Sequence, residues 1–428
     1  QSGFGRTGTV DWQTTPKTAT FTAVNGEGYF CNTTSGTFEV DLPAGVAGAI
    51  VSIQDYNNTF DSNNLTVDPN GSEKINGGTA GGFITLSTEG LGLTFVYIDA
   101  TVGWRSVQSN EYSTSGANPA FICASVSGAC NTLATVDTNF KVATFTGPGT
   151  FTVNSVGNPA GSTTVDYLVI AGGGGGANKT APNNTGEAGA GGGAGGYRES
   201  SGAASGSYTV SPLGACVSAL PVAATGYPIV IGGGGANSTS APGQGTDGNQ
   251  SSFSTIISAG GGGGGGCGSC LQDGRAGGSG GGVGRSDSGG GGHTAGAGNT
   301  PTTNPSQGNP GGTISPNPSF AGAAGGGGAT VSGGAGNTGF GGAGGNGATT
   351  SISASPVAYG GGGGGAGWPT GSTGGTGGTG GGSPGAAYPG PAGSATINRG
   401  GGGGGMAANG QNSSSGSSGI VIIRYKFQ

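Results

Sequence analysis

Glycine decides what this chain can become. Of its 110 glycines, 22 lie in residues 1–170 and the other 88 crowd the last 258 residues. A glycine in regular structure costs roughly 0.5–1 kcal/mol more than alanine in backbone entropy. Runs such as 172–176, 232–235, 260–266, 360–365 and 400–405 bring almost no apolar side chains to offset that cost. A flexible linker is the ordinary fate of such composition. The ordered alternative must draw on the backbone itself. In an extended helix with three residues per turn, geometrically like polyproline II, the N–H and C=O groups point outward. Copies lying side by side then hydrogen-bond laterally, and the missing Cβ lets Cα–H···O contacts form as well. A run of six at about 3.1 Å per residue makes a rod of roughly 19 Å. The expectation is a bundle of polyglycine-II rods with polar inserts exposed at its ends. Collagen's strict glycine at every third position is absent, which excludes a collagen triple helix.

The earlier part of the chain is a different material. TATFTAV, GYFCNT, TFEVDLP, AIVSIQDY, LTVDP, FITLST and LTFVYIDA read as short strands rich in β-branched and aromatic residues, separated by turn formers. That pattern predicts an antiparallel β-sandwich or jelly roll over residues 1–107. A Ser-, Asn- and Ala-rich linker is expected over 108–136. A glycine-rich β/polyglycine-II domain is expected over 137–428, opened by FKVATFTGPGTFTVNSV with GPG as a tight turn. The fold class is all-β throughout. The chain opens at Gln1 with no signal-like apolar segment, so a trimmed or omitted start is expected.

Several functions fall away on chemistry. DYLVIAGGGGGANKT imitates a phosphate loop, but Asn178 stands where G-x-x-x-x-G-K-[ST] needs its second glycine, and no helix can follow. A net charge of −6 argues against a nucleic-acid surface, which needs clustered Lys and Arg. No apolar run reaches 18 residues, so no membrane insertion is expected. Cys267-Gly-Ser-Cys270 has zinc or redox spacing but no second pair, and His293 is the only histidine. A Cys123–Cys130 bridge is open to a chain in an oxidising medium. Catalysis by paired carboxylates lacks a visible pair, since Asp55, Asp61 and Asp68 sit in turn contexts. Neither a cofactor, a metal nor a catalytic residue is expected. An ice-binding face would need a regular Thr or Ala array, and the inserts read as irregular.

The residues carry a resemblance. GEGYFCNTTSGTFEVDLPAG, IVSIQDYNNTFDSNNLTV and LTFVYIDATVGW resemble the β-structured module repeated across tailed-phage fibre and appendage proteins. TFTGPGTFTV, VDYLVIAGGGGG, GGAGGYR, YPIVIGGGG, FSTIISAGGGG and GIVIIRYKF resemble the glycine-rich virion proteins of T4-like cyanophages. Glycine-rich distal adhesins of related phages are similar in kind. The resemblance implies a non-enzymatic virion structural protein, a tail-fibre or appendage subunit located on the extracellular particle. Its implied partners are other virion proteins, further copies of itself with a trimer favoured, and a host-surface glycan or protein.

On that reading the receptor-contact candidates are His293 and the loop aromatics Phe320, Phe340, Tyr359, Trp368 and Tyr388. Each could equally cover the edge of the glycine lattice. The alternative is a filament or capsid-decoration subunit contacting only itself or other virion proteins. Glycosylation is open to it at the N-x-[ST] residues Asn32, Asn57, Asn64, Asn70, Asn178, Asn183, Asn237, Asn249 and Asn412.

Overall fold

A computed structural model describes residues 10–107, 120–158, 161–178, 187–206, 208–214, 217–239, 243–267, 271–285, 292–314, 322–407 and 411–428. The chain divides into two compact units, one of Gln1–Ala120 with Asn158–Gly161, the other of Phe121–Gly157 with Ser162–Gln428. Both are built from strands, as the sequence predicts.

The first unit packs two sheets face to face. One orders the strands Asp11–Lys17, Glu27–Cys31, Ile50–Asp55, Gly92–Asp99 and Gly103–Ser106, and the other Phe21–Thr22, Phe38–Asp41, Leu65–Asp68 and Ile84–Leu86. Alternate residues point inward, so Tyr29, Val51, Ile53, Phe95 and Trp104 from one sheet meet Val40, Leu65, Val67 and Leu86 from the other in a single apolar core. The pairing differs from the antiparallel expectation. Asp11–Lys17, Glu27–Cys31 and Ile50–Asp55 run parallel to one another, as do Phe21–Thr22, Phe38–Asp41 and Leu65–Asp68. The reason is topological: the chain alternates between the two sheets strand by strand, and each return brings the next strand in beside the last with the same direction. Only the later strands, Ile84–Leu86, Gly92–Asp99 and Gly103–Ser106, fold back antiparallel.

The second unit begins inside the expected linker. Cys123–Val126 and Thr132–Val136 are strands, the first paired with Gly149–Ser155 and the second with Phe140–Phe145. Their sequences, CASV and TLATV, are short and carry small residues, which is why they read as linker. These strands open two antiparallel sheets. The closing strand Ile420–Lys426 lies between Phe140–Phe145 and Thr164–Ile170, tying the end of the unit to its start. Phe145, Phe151, Val153, Tyr167, Ile229, Phe253, Val421 and Ile423 fill the space between the sheets.

Strands run directly into glycine rods: Thr164–Ile170 into 171–178, Ile256–Ser258 into 259–267, Val357–Tyr359 into 360–367. At the last of these junctions, and where the rod 400–407 begins, the chain turns through Gly360 (φ 73°) and Gly400 (φ 65°), a left-handed conformation that a side chain resists.

The run 171–178 displays the rule of the lattice. Gly172, Gly173 and Gly174 donate to the carbonyls of Asn249, Ser417 and Gly193, at 3.0, 3.0 and 2.8 Å. Gly175, Gly176 and Ala177 then donate to Thr246, Ser414 and Ala190 of the same three runs. Its carbonyls accept in the same rotation from Gly261, Gly235 and Gly403, then from Gly264, Ser238 and Met406. A repeat of three is the helical period of polyproline II geometry, and it surrounds this rod with six others. The runs 187–196, 279–285, 322–329 and 360–367 are enclosed by six neighbours in the same way. The glycine segment is thus a hexagonal lattice folded from one chain, stabilised by backbone hydrogen bonds where ordinary cores use side chains.

Candidate recognition surface

Successive rods alternate in direction, as their hydrogen-bond registers require. One end of the lattice therefore joins the strands of the second unit. The other end gathers the rod ends at Asn178, Gly243, Arg285, Ile314 and Ala407 together with the connections 338–339, 369–372 and 388–392. Bridges at Asn178–Gly243, Ala188–Arg285, Ile314–Gly336 and Phe340–Thr373 fasten the rods just inside that end. Connections held on a stiff base are a geometry suited to recognition.

The aromatic candidates distribute unevenly over it. Phe340 stands at the collected end with 58% of its surface exposed. Trp368 is also at this end but only 7% exposed. Its ring meets Tyr388 edge-on at 4.3 Å, and both lie against Ala188, Ala190, Ala323, Ala366, Ala386 and Met406. Trp368 is thus the plug that seals the rod ends, and it is corrected from accessible contact to packing residue, while Tyr388 is partly exposed. Tyr359 is corrected too. It closes the strand Val357–Tyr359 at the opposite end, 4% exposed, with the Arg399 guanidinium 5.0 Å over its ring. His293 is half-buried with Nδ1 3.5 Å from Asp273. The Thr294 N–H and hydroxyl donate to the same carboxylate, and those bonds, the backbone one foremost, hold Asp273 below its ordinary pKa. His293 therefore belongs to a loop brace. Phe320 lies outside the described residues.

The sequence reading missed a regular surface feature. In TGGTGGT, Thr373, Thr376 and Thr379 all face solvent while the glycines between them turn inward. The adjacent rod repeats this with Phe340, Ala343 and Asn346 outward, and Gly341, Gly344 and Gly347 donate in register to the carbonyls of Thr373, Thr376 and Thr379. The inserts are therefore more regular than they read, although the threonines form a single row on one rod.

Other predicted positions resolve as follows. Cys123 and Cys130 are exposed free thiols and form no bridge, because Cys123 enters the strand bound to Gly149–Ser155 whereas Cys130 leads into a strand of the other sheet. Cys267 is buried, its thiol donating to Asn178 O at 3.2 Å. Asn178 is itself buried, its amide donating to Ser238 O and accepting from Ser413 N–H, so it is closed to glycosylation. Asn57, Asn64, Asn70, Asn249 and Asn412 are exposed, Asn32 and Asn237 are half-buried, and Asn183 lies outside the described residues.

Two groups of titratable side chains were not foreseen. In the first unit Glu39, Asp41 and Asp68 bring carboxylate oxygens within 4.8 Å of one another. Asp68 is not a turn residue: it ends the strand Leu65–Asp68 opposite Asp41. The alternation in FEVD and LTVD was the signal for this, since it puts these acids on the outer face. Partial burial, with the neighbouring acids adding to it, raises the pKa of Glu39 and of Asp68. Asp55 does act as a turn aspartate, accepting from the N–H groups of Thr59, Phe60 and Gly90. In the second unit a polar cluster lies beneath the segment 199–214. Asp166 accepts from the hydroxyl of Ser200 and the N–H of Ser205, both at 2.7 Å. Glu199 accepts from the Tyr197 hydroxyl and Ser211 N–H, and burial pushes its carboxyl up. Arg424, fully buried, reaches Asp137 at 2.6 Å and stacks near Phe140 and Tyr208. Asp166 thus fastens Ser200 and Ser205 to the strand Thr164–Ile170, Glu199 holds Ser211, and Asp137 pairs with Arg424 of the closing strand. No helix among the described residues is long and apolar enough to cross a membrane.

The fold defines a class: a strand-built unit beside one in which paired β-sheets run on into a hexagonal polyglycine-II scaffold. A family model of the glycine-rich domain matches residues 144–426. The chain belongs to that glycine-rich domain family. A search of curated proteins returns no match.

Proposed function

We propose that this chain is a non-enzymatic virion structural protein, a tail-fibre or appendage subunit of a phage, that presents the collected loop end for recognition of a host surface. The observation that carries the reading is the separation of roles in the second unit. The lattice has an interior fixed by backbone hydrogen bonds, and the rods that leave the strands end together on the opposite face. The cyanophage character rests on the sequence resemblance. The expected partners are a host glycan or protein at the loop end, with other virion proteins and further copies of the chain elsewhere.

The test is direct. Purified protein should bind host cells and block phage adsorption, and antibody labelling should place it on the virion. Phe340→Ala combined with Thr338→Arg should reduce binding while leaving the melting temperature unchanged. Absence from virions together with no cell binding would remove the reading.

A further inference from the structure

The first unit carries a groove of its own. On the outer face of its five-stranded sheet, Trp12, Ser52, Gln54, Gly92 and Thr94 line a groove of about 170 Å³, with the backbone of Ile53 and Leu93 as part of its floor. We propose that this groove binds a neutral sugar ring, with Trp12 as the stacking platform.

Two glycines shape the groove. Trp12 pairs with Gly28 across the strands, and a Cβ at position 28 would lie 2.8 Å from the indole Cδ2. The missing side chain lets one indole face rest on the sheet, braced by Phe30 with ring centres 5.0 Å apart. The indole nevertheless stays 41% exposed, whereas Trp104 and Trp368 are 0% and 7% exposed. Gly92 serves Gln54 similarly, since a Cβ there would fall 2.3 Å from Oε1. The Gln54 amide nitrogen donates to Gly90 O at 3.0 Å and Asp55 O at 3.3 Å, which fixes the side chain and leaves Oε1 as the acceptor. Between them the Ser52 and Thr94 hydroxyls lie 2.8 Å apart on the floor.

A pyranose has the complementary chemistry. Its C–H face is apolar and suits an exposed indole, and its rim hydroxyls suit an amide oxygen and hydroxyls. No lining residue carries a charge, so the groove offers nothing to the carboxylate of an acidic sugar. The proposal rests on the recognition reading only for the origin of the sugar in a host-surface glycan.

The test titrates the full chain with cellobiose, maltose and lactose, with sialyllactose and glucuronic acid as anionic comparators, by ligand-observed NMR. Acrylamide quenching of tryptophan runs in parallel, because Trp12 dominates that signal. At least one neutral disaccharide should bind with a dissociation constant on the order of 1 mM and shield Trp12 from quenching. Gln54→Ala should weaken binding about tenfold at unchanged melting temperature, close to 1.4 kcal/mol, and Trp12→Ala should abolish it. Should Trp12→Ala fail to fold, Gln54→Ala decides. The proposal is overturned by no binding of any neutral disaccharide, by binding that both variants retain, or by equal binding of the anionic sugars. Sugar binding without host adsorption would defeat the recognition reading alone, and adsorption without sugar binding would defeat the groove alone.

Discussion

Gly363→Ala tests the lattice at its centre. The rod 360–367 is enclosed on all sides, and a Cβ on Gly363 would stand 2.0 Å from the carbonyl oxygen of Gly403 and 2.6 Å from its carbon. Both atoms are backbone in the rod 400–407, so no rotamer relieves the overlap. That rod must retreat by about 1 Å or more to regain van der Waals contact. The bonds joining the two rods, Gly402 to Gly361 O at 2.9 Å and Gly405 to Gly364 O at 3.0 Å, would then open to roughly 4 Å, beyond useful hydrogen-bond length. Each buried group left unsatisfied costs about 1–3 kcal/mol, and the two bonds leave four such groups, so the cost is at least about 4 kcal/mol. For a domain of this size that corresponds to a loss of roughly 10 °C in melting temperature. Gly233→Ala supplies the control: Gly233 is exposed on a surface rod, and the nearest atom to its added Cβ is Asn249 Nδ2 at 3.7 Å. That change should be neutral or stabilise by about 0.4–1 kcal/mol through the unfolded state. Calorimetry and guanidinium unfolding of both variants measure the contrast. Equal stabilities within about 1 kcal/mol would refute the claim that rod spacing is set by absent side chains.

Further expectations follow from other parts of the molecule. Iodoacetamide applied without reductant should modify Cys123 and Cys130 quickly, while Cys31, whose thiol burial pushes up to about 12, and Cys267 react only on unfolding. Peptide mapping reads this out, and a recovered Cys123–Cys130 disulfide would contradict the strand assignment. Glu199 is raised by burial, so its contribution to stability is complete below the unfolded carboxyl pKa of about 4.3 and is lost as pH rises through the folded value. Glu199→Gln should therefore match the parent near pH 4 and exceed it at neutral pH in melting temperature, whereas parallel curves would sink the argument. Asp68→Asn should stabilise the first unit at neutral pH, because it removes an acid whose pKa is already raised by burial and by Asp41. Unchanged or lower stability at pH 7 would count against repulsion in that cluster. Thr376→Gly with Ala343→Gly should promote self-association, measured by sedimentation against the parent.

Much of this architecture was legible because its causes are local. DYLVIA, YPIVI and GIVIIRYKF declare strands by β-branched content, and the glycine runs declare rods because nothing else stabilises so much glycine in order. The strand pairing was less legible. Parallel and antiparallel neighbours in the first unit have the same alternation, and the direction of Glu27–Cys31 beside Asp11–Lys17 follows from where the intervening strand Phe21–Thr22 pairs. The loop aromatics show the limit for sites. Trp368 and Phe340 each border a connection at the same end of the lattice, yet one seals alanine-bearing rods and the other faces water. The difference depends on neighbouring rods that bring Ala188, Ala190 and Ala323 from far along the chain into the cluster of Trp368.

The lattice also explains its own boundary. A hexagonal array has no intrinsic edge, since an outermost rod keeps outward N–H and C=O groups as an edge strand does. Two surface rods carry an outward side chain at every third position. Thr373, Thr376 and Thr379 on one rod, and Phe340, Ala343 and Asn346 on the next, place side chains where another rod would have to approach. Between rods 360–367 and 400–407 an added Cβ at Gly363 already lies 2.0 Å from a carbonyl oxygen, so even alanine blocks a contact of that kind. The sequences TGGTGGT and GGAGGNG therefore follow one rule, glycine where a rod has neighbours and a side chain where it must have none. Alanine is admitted inside only where the geometry allows it, as at Ala194 and Ala324, both fully buried. The same period of three that builds the interior thus sets the edge of the block and places side chains along its exposed rows.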